Sequence, residues 1–125
     1  MEGAAYLLAV KEDKALDMYM DSLIHLIGAA QEPDGYLTTC VTNQCTRLSG
    51  WWGTHRWEKI NSHELYNSGH LYEAAVAHYR ATGKRTLLDV AIKMPIWYVR
   101  SSDPAKDRSI VPVVILSRDG SCQTI

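Results

Sequence analysis

The sequence repeats itself. Ala74-Ala75-Val76-Ala77, then Gly83-Lys84, then Leu88-Asp89 echoes Ala4-Ala5-Tyr6-Leu7, then Asp13-Lys14, then Leu16-Asp17. Each copy spells a helix, a tight polar turn and a second helix. A lone α-hairpin leaves an apolar stripe uncovered, so such units stack on one another, and stacked α-hairpins build solenoids or closed α/α toroids. The repeat therefore predicts an all-α fold of packed hairpins.

The individual helices follow from punctuation and period. Glu2 to Val10 reads as one helix. Asp13 is placed to cap a second from Lys14 to about Gln31, in which Leu16, Met20, Leu23, Ile24 and Ile27 recur at the helical period and Asp17 and Asp21 fall on the wet face. Pro33-Asp34-Gly35 stops it with turn chemistry, and Tyr36-Leu37 continues as a short extended piece. Ser62 is placed to cap a long helix from His63 to Thr82, which Gly83 ends by supplying the left-handed position. A last helix is predicted from Lys84 to about Met94, with Leu87, Leu88, Ala91 and Ile92 in helical register and Asp89 on the wet side.

Chemistry concentrates in Ser62-His63-Glu64-Leu65-Tyr66-Asn67-Ser68-Gly69-His70. His63, Tyr66, Asn67, His70 and Ala74 follow at steps of three or four and share one face, while Glu64 sits in the first turn, near the positive end of the helix dipole. His63 and His70 lie seven positions apart, a rise of about 10 Å, whereas a zinc-binding helical pair needs a spacing of about four. One ion between them is not expected. Two readings of the face stay open: a capped helix with one buried, satisfied histidine and one exposed, or a polar mouth that hydrogen-bonds a polyhydroxylated ligand.

From Thr38 to Asn61 no period is convincing, and a connection of that length in a compact domain is either functional or disordered. Trp51, Trp52 and Trp57 lie in it beside His55 and Arg56. Their faces suit stacking on a sugar ring or plugging the end of a helical core.

Composition narrows the classes further. A formal charge of −1 over 125 residues gives no basic surplus for nucleic acid. Met1-Glu2-Gly3 precedes only a short apolar run, so neither a signal peptide nor a membrane span is expected and a cytoplasmic location is the default. Cys40, Cys45 and Cys122 are an odd number at no standard metal spacing, which predicts free thiols; Cys40 and Cys45 with His55 form a weak candidate zinc set.

Several ordered motifs then carry a resemblance. Glu2-Gly3-Ala4-Ala5-Tyr6, Gln31-Glu32-Pro33-Asp34-Gly35-Tyr36-Leu37, Arg56-Trp57, Ser62 to Tyr66 through Gly69-His70, and Glu73 to Tyr79 resemble the β-L-arabinofuranosidase family of glycoside hydrolases (glycoside hydrolase family 127-like) from about Glu2 to Met94. The resemblance implies part of an (α/α)6 toroid, retaining hydrolysis of terminal β-L-arabinofuranosides, a catalytic cysteine held by zinc, and a glutamate acid/base. It carries over a substrate-binding set: His63 matches a histidine that hydrogen-bonds the sugar, and Glu64, Tyr66 and His70 complete that motif. No stretch resembles the family's catalytic glutamate or zinc-bound cysteines, so no catalytic residue, metal ligand or cofactor is assigned to this chain, and activity of the chain alone is not expected. A twelve-helix toroid needs on the order of 200 residues or more, and four helices cannot close it. The rival reading is a non-enzymatic helical module binding carbohydrate or protein, and an uncovered apolar flank predicts self-association.

After Met94 the resemblance stops. Residues 1–94 are therefore taken as the partial catalytic domain and 95–125 as a divergent, irregular tail with a single edge strand near Ile110 to Leu116. A second reading of the break is a frameshift: with suitably chosen codons, Met-Ala-Asp-Met-Val written ATG-GCC-GAT-ATG-GTA becomes Met-Pro-Ile-Trp-Tyr on loss of one G, as at Met94 to Tyr98.

Overall fold

The structure is a computed structural model. It describes residues 1–45, 53, 55–94, 114–116 and 122–124, the last two segments by backbone alone. Helix α1 (Glu2–Val10) and α2 (Lys14–Ala30) form one hairpin. A single short turn of helix, α3 (Thr39–Thr42), and a 3₁₀ turn (Ile60–Ser62) interrupt the connection to α4 (Glu64–Thr82), which forms the second hairpin with α5 (Thr86–Lys93). The packed hairpins make an incomplete part of an (α/α)6 toroid.

Helix α4 is the axis of the packing. Its run Ala74–Ala77 is buried, and the small side chains let neighbours approach on two sides. On one side Ile24 of α2 and Leu87, Leu88 and Ala91 of α5 close over Ala74 and Ala75. On the other, Ala5 of α1 and Met20 of α2 meet Ala77. Among the described residues α1 packs on α2 and α4, and α5 on α2 and α4. The α2 stripe points inward as expected, with Met20 and Ile24 buried and Leu16, Leu23 and Ile27 half-buried.

Local signals set the helix ends. Asp13 Oδ1 accepts hydrogen bonds from the Ala15 and Leu16 amides, both at 3.0 Å, satisfying donors that α2 cannot. Gly83 ends α4 at φ 73°, its amide donating to the Tyr79 carbonyl at 2.8 Å. The start of α4 differs from expectation. Ser62 does not cap it: the residue closes the 3₁₀ turn, His63 stands at the N-cap in the left-handed region (φ 61°), and no side chain among the described residues caps the helix. The Ser62 hydroxyl is drawn instead to the Glu64 carboxylate at 3.0 Å. Two smaller differences concern α5, which begins at Thr86 rather than Lys84, and Ile92, which is exposed.

Asp17 and Asp21 also depart from their expected place in open water. Both carboxylates accept from Lys84 Nζ at 2.7 Å, a half-buried clamp that ties α2 to the turn between α4 and α5. Beside it lies His78, fully buried, with neither ring nitrogen hydrogen-bonded among the described residues. Burial holds the imidazole pKa below its usual value; Asp21 and Asp17 pull it up and Lys84 pushes it down. The sign follows: above about pH 6.5 the ring is neutral in both states and its contribution is complete. Below that the unfolded chain takes a proton that the folded chain resists, so stability falls with a slope of at most about 1.4 kcal/mol per pH unit. Melting in a chelator at pH 7.5 and pH 5.5 should show the lower midpoint at pH 5.5. An unchanged midpoint would contradict this account of His78.

Tyr6, Leu7 and Val10 of α1 and Met18, Tyr19 and Leu26 of α2 are large apolar side chains left exposed. Concentration-dependent self-association is the expected result in sedimentation velocity. A single monomer peak at all concentrations would rule it out. No helix among the described residues is long and apolar enough to cross a membrane. Val114–Leu116 and Cys122–Thr124 pair as two antiparallel strands, so the single unpartnered strand expected near Ile110 to Leu116 is corrected: Leu116 faces Cys122 in the ladder. The remainder of the 95–125 tail lies outside the described residues.

Candidate functional site

The polar face of α4 is built from side chains one turn apart. His63, Tyr66, Asn67 and His70 are all exposed. The Tyr66 ring meets His63 edge-on at 5.8 Å between centroids and His70 at 4.4 Å, so the three rings form one interlocked row. Glu73 holds His70 Nδ1 at 3.3 Å. The expectation of one buried and one exposed histidine in this motif is corrected, since both stand in solvent and the buried histidine is His78.

Glu64 is separated from that row. Its side chain points inward, and the residue is 2% exposed. The Tyr36 hydroxyl donates to it at 2.7 Å, the Ser62 hydroxyl at 3.0 Å, and the Trp57 amide at 3.2 Å to each oxygen. Three hydrogen-bond donors, one of them from far back in the chain, thus satisfy one buried carboxylate. Burial, reinforced by the Glu64 charge, pushes the Tyr36 phenol well above its usual pKa, which keeps it a donor.

Arg56 closes the network outside. Its guanidinium forks onto Glu32 and Asp34 and lies over the Tyr36 ring at 4.3 Å, while Trp57 packs edge-on against the same ring at 5.4 Å. The Arg56 hydrogen bond holds the Asp34 carboxyl below its usual pKa. Gly35, at φ 93°, lets the turn close, and Asp34 Oδ1 accepts the Tyr36 amide at 3.2 Å. Trp57 therefore serves as packing at the entrance of α4. Trp51 and Trp52 lie outside the described residues.

Beside the row opens a groove of about 400 Å³, lined by Leu26, Ile27 and Ala30 of α2, by Leu37 to Cys40, and by Asn67. That size falls in the range of small-ligand sites. Its walls are mainly apolar, and Asn67 joins it to the histidine face.

A cysteine-held zinc does not fit what is described. Cys40, Cys45 and His55 do not converge into a set of ligand atoms. Burial and the neighbouring Cys45 raise the Cys40 thiol pKa. Both cysteines are free thiols.

Comparison with known proteins agrees with this architecture. A family model described as the β-L-arabinofuranosidase GH127 catalytic domain matches residues 1–125. A non-reducing end β-L-arabinofuranosidase from Bifidobacterium longum subsp. longum is 43% identical over 96 residues, 75% of this chain and 14% of that protein. A solved GH127 β-arabinofuranosidase is 51% identical with a TM-score of 0.68, over 74% of this chain and 15% of its own. A solved GH127 β-L-arabinofuranosidase from Geobacillus stearothermophilus T6 is 47% identical with a TM-score of 0.64, over 74% and 14%. The fold and these likenesses define a helical glycoside hydrolase scaffold, of which the chain spans about one seventh of its relatives' length. The chain belongs to the GH127 β-L-arabinofuranosidase family.

Proposed function

We propose that this chain forms part of the sugar-binding wall of a toroidal glycosidase acting on terminal β-L-arabinofuranosides or related plant-glycan sugars, without the catalytic centre. The observation that carries the reading is the exposed row His63, Tyr66 and His70 on one face of α4. Imidazoles and a phenol in a fixed row offer directed hydrogen bonds and ring edges to a polyhydroxylated ligand. Glu64 is the positioning residue: it fixes the entrance of α4 and with it the backbone of His63. The catalytic cysteine, its zinc and the acid/base glutamate are assigned to the rest of the toroid, and residues 95–125 are proposed as a divergent tail.

His63→Ala in an enzyme that carries this wall within a complete toroid should lower kcat/KM by roughly tenfold to a hundredfold, the worth of one good hydrogen bond at about 1–3 kcal/mol. Unchanged efficiency would remove His63 from the sugar contacts. The apolar groove favours a second reading, a non-enzymatic module that binds carbohydrate or protein. Turnover of a chromogenic arabinofuranoside by the chain alone would exclude both the module and the missing catalytic centre; arabinofuranoside binding without turnover, lost in His63→Ala, would support the wall.

A further inference from the structure

The buried histidine and the lysine clamp together describe a second site, away from the sugar face. One ligand atom each from Asp17, Asp21 and His78 lie within 4.8 Å of one another. Asp17 and Asp21 are one turn apart on α2 and present their carboxylates side by side, while His78 comes from α4 with its ring fully buried. Neither nitrogen of that ring has a hydrogen-bond partner among the described residues. A buried imidazole left so is uncommon, because a lost hydrogen bond inside a protein is costly. An electron-pair acceptor placed between the ring and the two carboxylates would satisfy it.

We propose that Asp17, Asp21 and His78 bind a divalent transition metal of the zinc type, and that Lys84 is a displaceable ammonium occupying the site in the metal's absence. Charge supports the exchange. Two carboxylates against one ammonium leave one negative charge uncompensated, whereas a divalent ion matches both. Lys84 is free to leave, since its side chain is one-third exposed and it follows the Gly83 turn. Donor chemistry selects the metal class: an imidazole with two carboxylates suits zinc or cobalt, whereas calcium and magnesium prefer all-oxygen shells. Ligands around zinc at about 2.1 Å stand roughly 3.4 Å apart, so the set must draw in by about an ångström. The two carboxylates, each partly exposed, have the rotamer freedom to do this once the ammonium withdraws. Three protein ligands leave a fourth position to water, where the Lys84 head group now lies.

Such an ion would bolt α2 to α4 behind the cavity wall, a structural role independent of hydrolysis and of the catalytic zinc expected elsewhere in the family. Cobalt(II) reports on it directly, because its visible absorption reveals nitrogen and oxygen coordination and near-ultraviolet charge transfer reveals thiolate. The chain is demetallated, titrated with Co²⁺, and then competed with Zn²⁺. One equivalent should bind without a thiolate band and raise the melting midpoint. Lys84→Met should tighten binding by about tenfold or more and Asp21→Asn should weaken it by at least as much. His78→Gln should abolish it. If His78→Gln does not fold, Asp21→Asn, altered at a partly exposed position, still decides. No saturable binding by folded Lys84→Met overturns the proposal. So does a thiolate band at the first equivalent, or Asp21→Asn binding as tightly as the unaltered chain, since either would place the ion elsewhere.

Discussion

Glu64→Ala should cost about 3–5 kcal/mol of stability, a large part of the roughly 5–15 kcal/mol that holds a domain folded. The substitution removes a buried carboxylate and strands its donors, the Tyr36 and Ser62 hydroxyls and the Trp57 amide, in a space from which water is excluded. Each abandoned donor carries its own desolvation cost of roughly 1–3 kcal/mol. Glu64→Gln separates the contributions, since it preserves shape and one acceptor but places an amide NH₂ against groups that themselves donate; a smaller loss is expected, about half that of the alanine variant. Chemical denaturation followed by circular dichroism measures both. A Glu64→Ala midpoint within error of the original would mean that the carboxylate does not organise the entrance of α4.

Leu88→Ala is the second large effect, expected at about 2–5 kcal/mol. Leu88 is fully buried where α2, α4 and α5 meet, against Ile24, Ala74, Ala75, Leu87 and Ala91. What surrounds it cannot relax easily. The alanines of α4 have no side chain to swing into a void, and α5 is held between the Gly83 turn and Met94, itself buried. The cavity should therefore persist and the cost lie in the upper half of that range. Denaturant unfolding checks it: a loss below about 1 kcal/mol would show that α5 collapses onto α4, contrary to the packing described.

The hairpins were legible because their signals are local. Asp13 caps the helix that follows it, the α2 stripe keeps a 3.6-residue period, and Gly83 marks an end that any chain would make there. Contacts over long sequence separation were not legible. Ser62 has the composition of an N-cap, yet its hydroxyl goes to a carboxylate that Tyr36, far back in the chain, also holds. Asp17 and Asp21 look solvated until Lys84 is brought beside them from the other hairpin. His78 left a readable trace, since it falls on the same helical face as Leu71, Ala74 and Ala75, the side that packs into the core.

Trp57 and His63 both adopt the left-handed backbone region, at φ 60° and 61°, although neither is glycine. Such residues cost about 1–2 kcal/mol each and persist where surrounding contacts leave no alternative. Here the contacts share one anchor: the Trp57 amide donates to Glu64, and His63 immediately precedes it. The path between the two positions is thus set in length as well as in shape. One residue inserted or deleted there would turn the Trp57 amide away from its acceptor and break the lead into α4. Relatives should therefore keep the length from the arginine–tryptophan pair to His63 unchanged.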